Sequence, residues 1–146
     1  MSPKKIKKQA DNNTIHYPSK QKEIDYPIFC FKHITTNSKY NIGYFRNKMR
    51  DKERAYSAFF HLISDIQTHS WRELGNLNKK NRGSFETLYY HQLKFCPREL
   101  EIAKDDKVLV FRFKRDKYRM IGFKSNDLKN LIHIIGFDFD FSAYNH

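Results

Sequence analysis

Glycine and proline are scarce in this chain, at 5 and 4 of 146 residues. That excludes a collagen-like or low-complexity chain and argues for ordered structure over most of the length. Cysteine is scarcer still. Cys30 and Cys96 stand far apart, with no Cys-x-x-Cys spacing and no clustered histidines. Neither a disulfide framework nor a zinc ligand set is expected, and no metal or other cofactor is called for. Both thiols sit beside phenylalanines (Phe29 and Phe31; Phe95) and read as buried free cysteines. The basic start "MSPKKIKKQ" is not followed by an apolar segment. A signal peptide and a membrane span are therefore not expected, and the compartment reads as the cytosol.

Aromatic residues and positive charge are abundant. Hydrophobic residues make up 39% and aromatics 16%, enough for one packed core in a chain of this length. Lys and Arg number 28 against 16 Asp and Glu, a formal charge of +12. Such a balance implies a polyanionic partner: nucleic acid, a ribosome, an acidic protein or an anionic membrane. The membrane ranks last, because no predicted helix joins a strong basic face to an exposed apolar one.

Residues 1–25 lack apolar periodicity and read as a flexible basic tail; residues 26–146 read as a single domain. "YPIFCFKHI" (26–34) alternates like a strand, with Ile28, Cys30, Lys32 and Ile34 on one face and Phe29, Phe31 and His33 on the other. "YFRNKM" suggests a turn or short helix. Asp51 can cap a helix whose apolar face carries Ala55, Tyr56, Phe59, Phe60, Leu62, Ile63 and Ile66. His61 lies beside that face and reads as structural. "SWRE" (70–73) has the capping-box pattern, with Trp71 as a core anchor and Gly75 as a helix stop. After a basic loop, "NLNKKNRGS", Ser84 can cap a further short helix, "FETLYYHQLKF", closed by Pro97. From Lys107 the period changes to two, and three antiparallel strands in a meander follow. The order of elements predicts an α+β fold: an N-terminal strand, two or three helices, then a C-terminal antiparallel meander.

The meander carries the candidate site. Pairing "KVLVFRFK" with "YRMIGF" across Arg115-Asp116 sets Lys114 opposite Lys117, Arg112 opposite Arg119, Val110 opposite Ile121 and Val108 opposite Phe123. A four-residue turn keeps these pairs; an odd number scrambles them. Directly opposed side chains share a face, so Arg112, Lys114, Lys117 and Arg119 would form a four-cation cluster. Leu109, Phe111, Phe113, Tyr118 and Met120 would be the core face. Like charges facing each other destabilise a sheet, and a phosphate between them would offset that cost; splaying into solvent would do so too. The third strand would bring Asp138, Asp140, Tyr144 and His146 to the same sheet, where the two acids are expected to ion-pair with the hairpin arginines rather than hold a metal.

The stretch "FRFKRDKYRMIGFKSNDLKNLIHIIGFDFDFSAYNH" resembles the C-terminal half of the RelE/ParE-like toxins of bacterial toxin–antitoxin pairs. Tyr118-Arg119 resembles their "YR" strand element, and Tyr144 with His146 their functional tail. "DFDF" stands where basic residues are often found in that family. The resemblance implies a metal-independent endoribonuclease acting on mRNA, often on the ribosome, and neutralised by an antitoxin protein. It implies Arg119 and Arg112 on the phosphate and His146 or Tyr144 in proton transfer, with Lys114, Lys117, Lys79, Lys80 and Arg82 holding the RNA backbone. Two other readings stay open: a non-enzymatic, basic nucleic-acid-binding protein of a mobile element, and an interaction module for an acidic partner.

Overall fold

A computed structural model describes residues 24–78 and 83–146. The elements run β1 (Ile28–Cys30), α1 (Ile42–Asn47), α2 (Lys52–Gln67), α3 (Trp71–Asn76), β2 (Phe85–Tyr89), β3 (Lys107–Phe113), β4 (Tyr118–Lys124) and β5 (Leu131–Asp138). The fold is α+β: the helices are grouped before an antiparallel meander, β2 to β5. The sheet has five strands in the order β1-β5-β4-β3-β2, with β1 parallel to β5. No helix among the described residues is long and apolar enough to cross a membrane. Residues 1–23 of the predicted tail lie outside the described residues. Ile24 and Asp25, which the sequence also assigns to that tail, are already tied to the body: their carbonyls accept from Asn130 Nδ2 and, at 3.1 Å, from the Trp71 amide.

Local chemistry starts each helix. Asn41 caps α1 through Gly43 N at 2.9 Å, and Asp51 caps α2 through Arg54 N at 3.4 Å. The capping box of α3 forms: Glu73 N donates to Ser70 Oγ at 3.2 Å, and Ser70 N to Glu73 Oε2 at 2.7 Å. Gly75 lies within α3 and does not stop it. Phe60, assigned to the apolar face of α2, is 68% exposed, and His61 is exposed rather than packed.

Two expectations give way. The helix expected from Phe85 is β2 followed by a single 3-10 turn, Tyr90–Gln92. Its amides find partners on β3, with Phe85 opposite Phe111 and Tyr89 opposite Lys107. Long-range pairing outweighs the local helical spacing, and Thr87 and Tyr89 suit a pleated strand. The strand expected over 26–34 is only three residues long, because the chain turns at Lys32 and His33.

Both faces of the sheet are covered. On one, Leu109, Phe111, Met120, Ile134 and Phe137 pack against Phe45, Leu62, Ile66 and Leu74 of the helices. On the other, Val108, Val110, Ile121, Phe123 and Ile135 are covered by Tyr40, Phe95, Ala143 and Tyr144, from loops and the tail. Burial on both faces explains why "VLVF" and "HIIGF" read as continuous apolar runs instead of clean alternation. The register shifts between Ile121 and Gly122, leaving Ile135 as the extra residue of β5. At Gly136 a Cβ would lie 2.6 Å from the Phe95 ring and 3.1 Å from Tyr40 O, so the missing side chain is what lets Phe95 lie on the strand.

Candidate functional site

The register and the tail bring Arg112, Arg119, Tyr144 and His146, the four residues expected in catalysis, together on the sheet face away from the helices. Arg112 of β3 is opposite Arg119 of β4, and Arg119 is opposite Asp138 of β5. Glu86 of β2 is opposite Val110, two residues from Arg112 and therefore on the same face. Four strands thus present two arginines and two carboxylates in one row. Arg112 Nη2 donates to Glu86 Oε2 at 3.0 Å, with both side chains about one-third exposed. Arg119 is 6% exposed. Its Nη1 donates to the Asp116 carbonyl at 3.0 Å, its Nε has no partner among the described residues, and its guanidinium lies 4.7 Å from the Phe141 ring centroid.

The tail closes over this row. Asp138 is wholly buried; its Oδ1 accepts from Ser142 N at 3.0 Å and its Oδ2 faces His146 Nε2 at 3.0 Å. Because a carboxylate accepts, the imidazole presents Nε2–H to it and leaves Nδ1 for other partners. The His146 side chain keeps 27% of its surface exposed. Tyr144 OH donates to Glu86 Oε1 at 3.2 Å, and its ring lies 4.1 Å from that of His146. Burial, the largest influence, pushes the Tyr144 phenol up to about 12; Arg119 pulls the other way and Glu86 adds to the rise. The tail is anchored by Tyr40 OH donating to Ser142 O at 3.2 Å and by Lys94 N donating to Ala143 O at 2.8 Å. It turns at Phe141, whose φ of 60° is in the left-handed region and whose ring is 52% exposed.

The row of four cations expected from the hairpin is a pair. The ladder stops at Phe113 and Tyr118, and Lys117 N donates to Lys114 O at 3.1 Å to close the turn. Lys114, Arg115 and Asp116 all have left-handed φ, from 50° to 64°. That backbone carries Lys114 to the helix side, where its Nζ lies 5.2 Å from the Tyr118 ring centroid. There it lines an open pocket of about 710 Å³ with Arg54, Ser57, His61 and Arg115. Lys117 is exposed at the hairpin tip. Lys79, Lys80 and Arg82 lie outside the described residues.

The acids behave differently from expectation. Asp138 engages His146 and the Ser142 amide, while Asp140 lies 3.8 Å from Lys39 and accepts from Ser142 Oγ. Glu86 is a site residue that sequence reading missed, since assigning Phe85–Phe95 to a helix removed it from the sheet. No local signal marks it: "FETLY" does not alternate cleanly and fits a helical spacing as well, and only pairing with β3 decides.

The far end of the same face holds a second cluster. Cys30, His33 and His133 bring their ligand atoms within 4.8 Å of one another. Burial, then the nearby His33, lowers the His133 pKa, with Asp127 opposing. Cys96 is exposed and Cys30 only partly buried, where both were expected to be buried; both thiols are free.

No protein-family model matches the chain, and neither does any curated protein or solved structure.

Proposed function

We propose that this protein is a RelE-like endoribonuclease that cleaves mRNA by transesterification, with a partner antitoxin masking the tail-covered face. One observation carries the reading: a fully buried carboxylate, Asp138, orients the partly exposed His146 beside two arginines. A fixed imidazole with one free nitrogen is suited to general-base work near neutral pH. In the proposed step His146 Nδ1 takes the proton of a ribose 2′-hydroxyl. The 2′-oxygen bonds to phosphorus and the 5′-oxygen departs, taking a proton from an acid. The products are a 2′,3′-cyclic phosphate and a 5′-hydroxyl end. Arg112 and Arg119 would stabilise the charge on the phosphorane, and their forked guanidinium groups suit paired phosphate oxygens. Tyr144, kept protonated by its raised pKa, suits the acid role. Lys114, Lys117 and Arg115 at the hairpin would hold the backbone.

A second reading, RNA binding without turnover, is favoured by a different observation. Arg119 is buried beneath Phe141, and Arg112 is already paired with Glu86. RNA must displace Phe141 and compete with Glu86 before either arginine meets a phosphate. The deciding experiment expresses wild type, His146→Ala and Arg112→Ala and follows growth and RNA 5′ ends together. Cleavage with 5′-hydroxyl ends, lost in both variants while their circular dichroism is unchanged, supports the enzyme. Salt-sensitive binding with no new ends in wild type, free or on ribosomes, leaves the binding protein.

A further inference from the structure

We propose that Cys30, His33 and His133 form a Zn²⁺ site that fastens the short edge strand β1 to β5, separate from the arginine row. The three ligand atoms lie within 4.8 Å of one another. Tetrahedral zinc with one sulfur and two nitrogens would separate them by roughly 3.3–3.6 Å, given metal–ligand distances near 2.0–2.3 Å. A contraction of at most about 1.2–1.5 Å therefore closes the site, and side-chain rotation on the turn that carries His33 can supply it. Cys30 and His133 are register partners across the parallel β1–β5 pair, so two ligands rest on paired backbone.

The surroundings prepare the ligands. His33 Nδ1 lies 2.8 Å from the Arg98 carbonyl, and an acceptor there requires the proton on Nδ1, leaving the Nε2 lone pair for a metal. The same turn is clamped from the other side, with Arg98 N donating to His33 O at 3.1 Å and Arg98 Nη2 to Lys32 O at 2.9 Å. His133 faces His33 edge-on, with ring centroids 5.0 Å apart, and its buried Nδ1 finds no hydrogen-bond partner among the described residues. A histidine with an orphaned ring nitrogen, placed beside a thiol and a second imidazole, is a polar arrangement that a cation completes. One thiolate and two imidazoles select a borderline-soft ion such as Zn²⁺ over Mg²⁺ or Ca²⁺. On binding, the thiol proton goes to solvent and the sulfur lone pair to the metal. The fourth position falls to water. Nothing here turns over; the role is a staple on a strand of three residues.

The test titrates the full chain, after chelation, with Zn²⁺ and with Co²⁺ as the spectroscopic probe. The expected result is one tight equivalent, a thiolate-to-cobalt charge-transfer band in the near ultraviolet, and a raised Tm. Cys30→Ser and His133→Gln should each weaken Zn²⁺ binding by more than the about 10–100-fold typical of outer-sphere changes. Cys96→Ser should leave affinity and band unchanged. A wild-type Co²⁺ spectrum without the thiolate band overturns the proposal, and so does a Cys30→Ser variant that binds Zn²⁺ as wild type does. The ribonuclease reading is independent of this outcome, because its assay scores RNA ends and not metal.

Discussion

The two faces of the sheet are built by different means. The helix-side face is closed by regular elements whose apolar stripe dictates their docking, and its contacts are almost entirely aromatic and aliphatic: Phe45 alone lies within 4.5–6.5 Å, ring to ring, of Phe113, Phe137, Phe139, Tyr56 and Phe59. The other face is closed by irregular chain, the loop around Phe95 and the tail, and at one end it buries Arg119 and Asp138 among hydrophobic neighbours. Hydrophobic packing tolerates rearrangement, whereas a buried charge does not tolerate the loss of its partner. A regular face thus holds the apolar packing, and an irregular face holds the buried charges and their partners.

Substitution tests that division. The largest effect is expected from Phe45→Ala on the helix face, about 3–5 kcal/mol in urea unfolding, for a ring removed from a packed cluster. A loss below 1 kcal/mol would mean that the helices are not what holds the sheet. On the opposite face Gly136→Ala should cost about 1–3 kcal/mol, because the new methyl group meets the Phe95 ring and Tyr40 O. Limited proteolysis should then cut the 93–106 loop or the tail faster than in wild type. Uniform protection would show that this cover adapts more freely than its contacts suggest.

The smallest effect is a pH dependence. The Tyr144 phenol is raised from 10.0 to about 12, so the folded state holds a proton that the unfolded chain gives up. Its contribution to stability is therefore fully present below about pH 10 and lost as pH rises towards 12. Tyr90, which burial and a Cys96 hydrogen bond also raise to about 12, shares that window. Tyr144→Phe should flatten the alkaline slope of unfolding free energy without abolishing it, and an unchanged slope would remove Tyr144 from the buried network.

Legibility in the sequence follows the same division. The helices α2 and α3, their caps and the Arg112–Arg119 register were all readable, because capping and alternation are local signals. Glu86 was not, since Phe85, Leu88 and Tyr89 also fit a helical spacing and only pairing with β3 decides between the two. The Cys30–His33 approach was hidden for a similar reason. Alternation puts them on opposite faces of a long strand, and the turn at Lys32 and His33 folds one back beside the other. Lys114 left the cation row because three successive left-handed residues reorient the hairpin tip, which no glycine or asparagine there announces.

The pairing of β1 with β5 has a bearing on how the molecule comes into being. β1 is made well before its hydrogen-bonded neighbour β5, and Tyr40 holds Ser142 across 102 residues of sequence. During synthesis, at about 5–20 residues per second, the emerging chain would carry its helices and first hairpin with no strand to complete the sheet. Closing so long a loop is entropically late, which marks this as a slow-folding topology. Asp138 lies on β5 and Tyr144 and His146 follow it, so their contacts with Ser142, Glu86 and one another wait on the docking of β5, whereas the Arg112–Glu86 pair needs only β2 and β3.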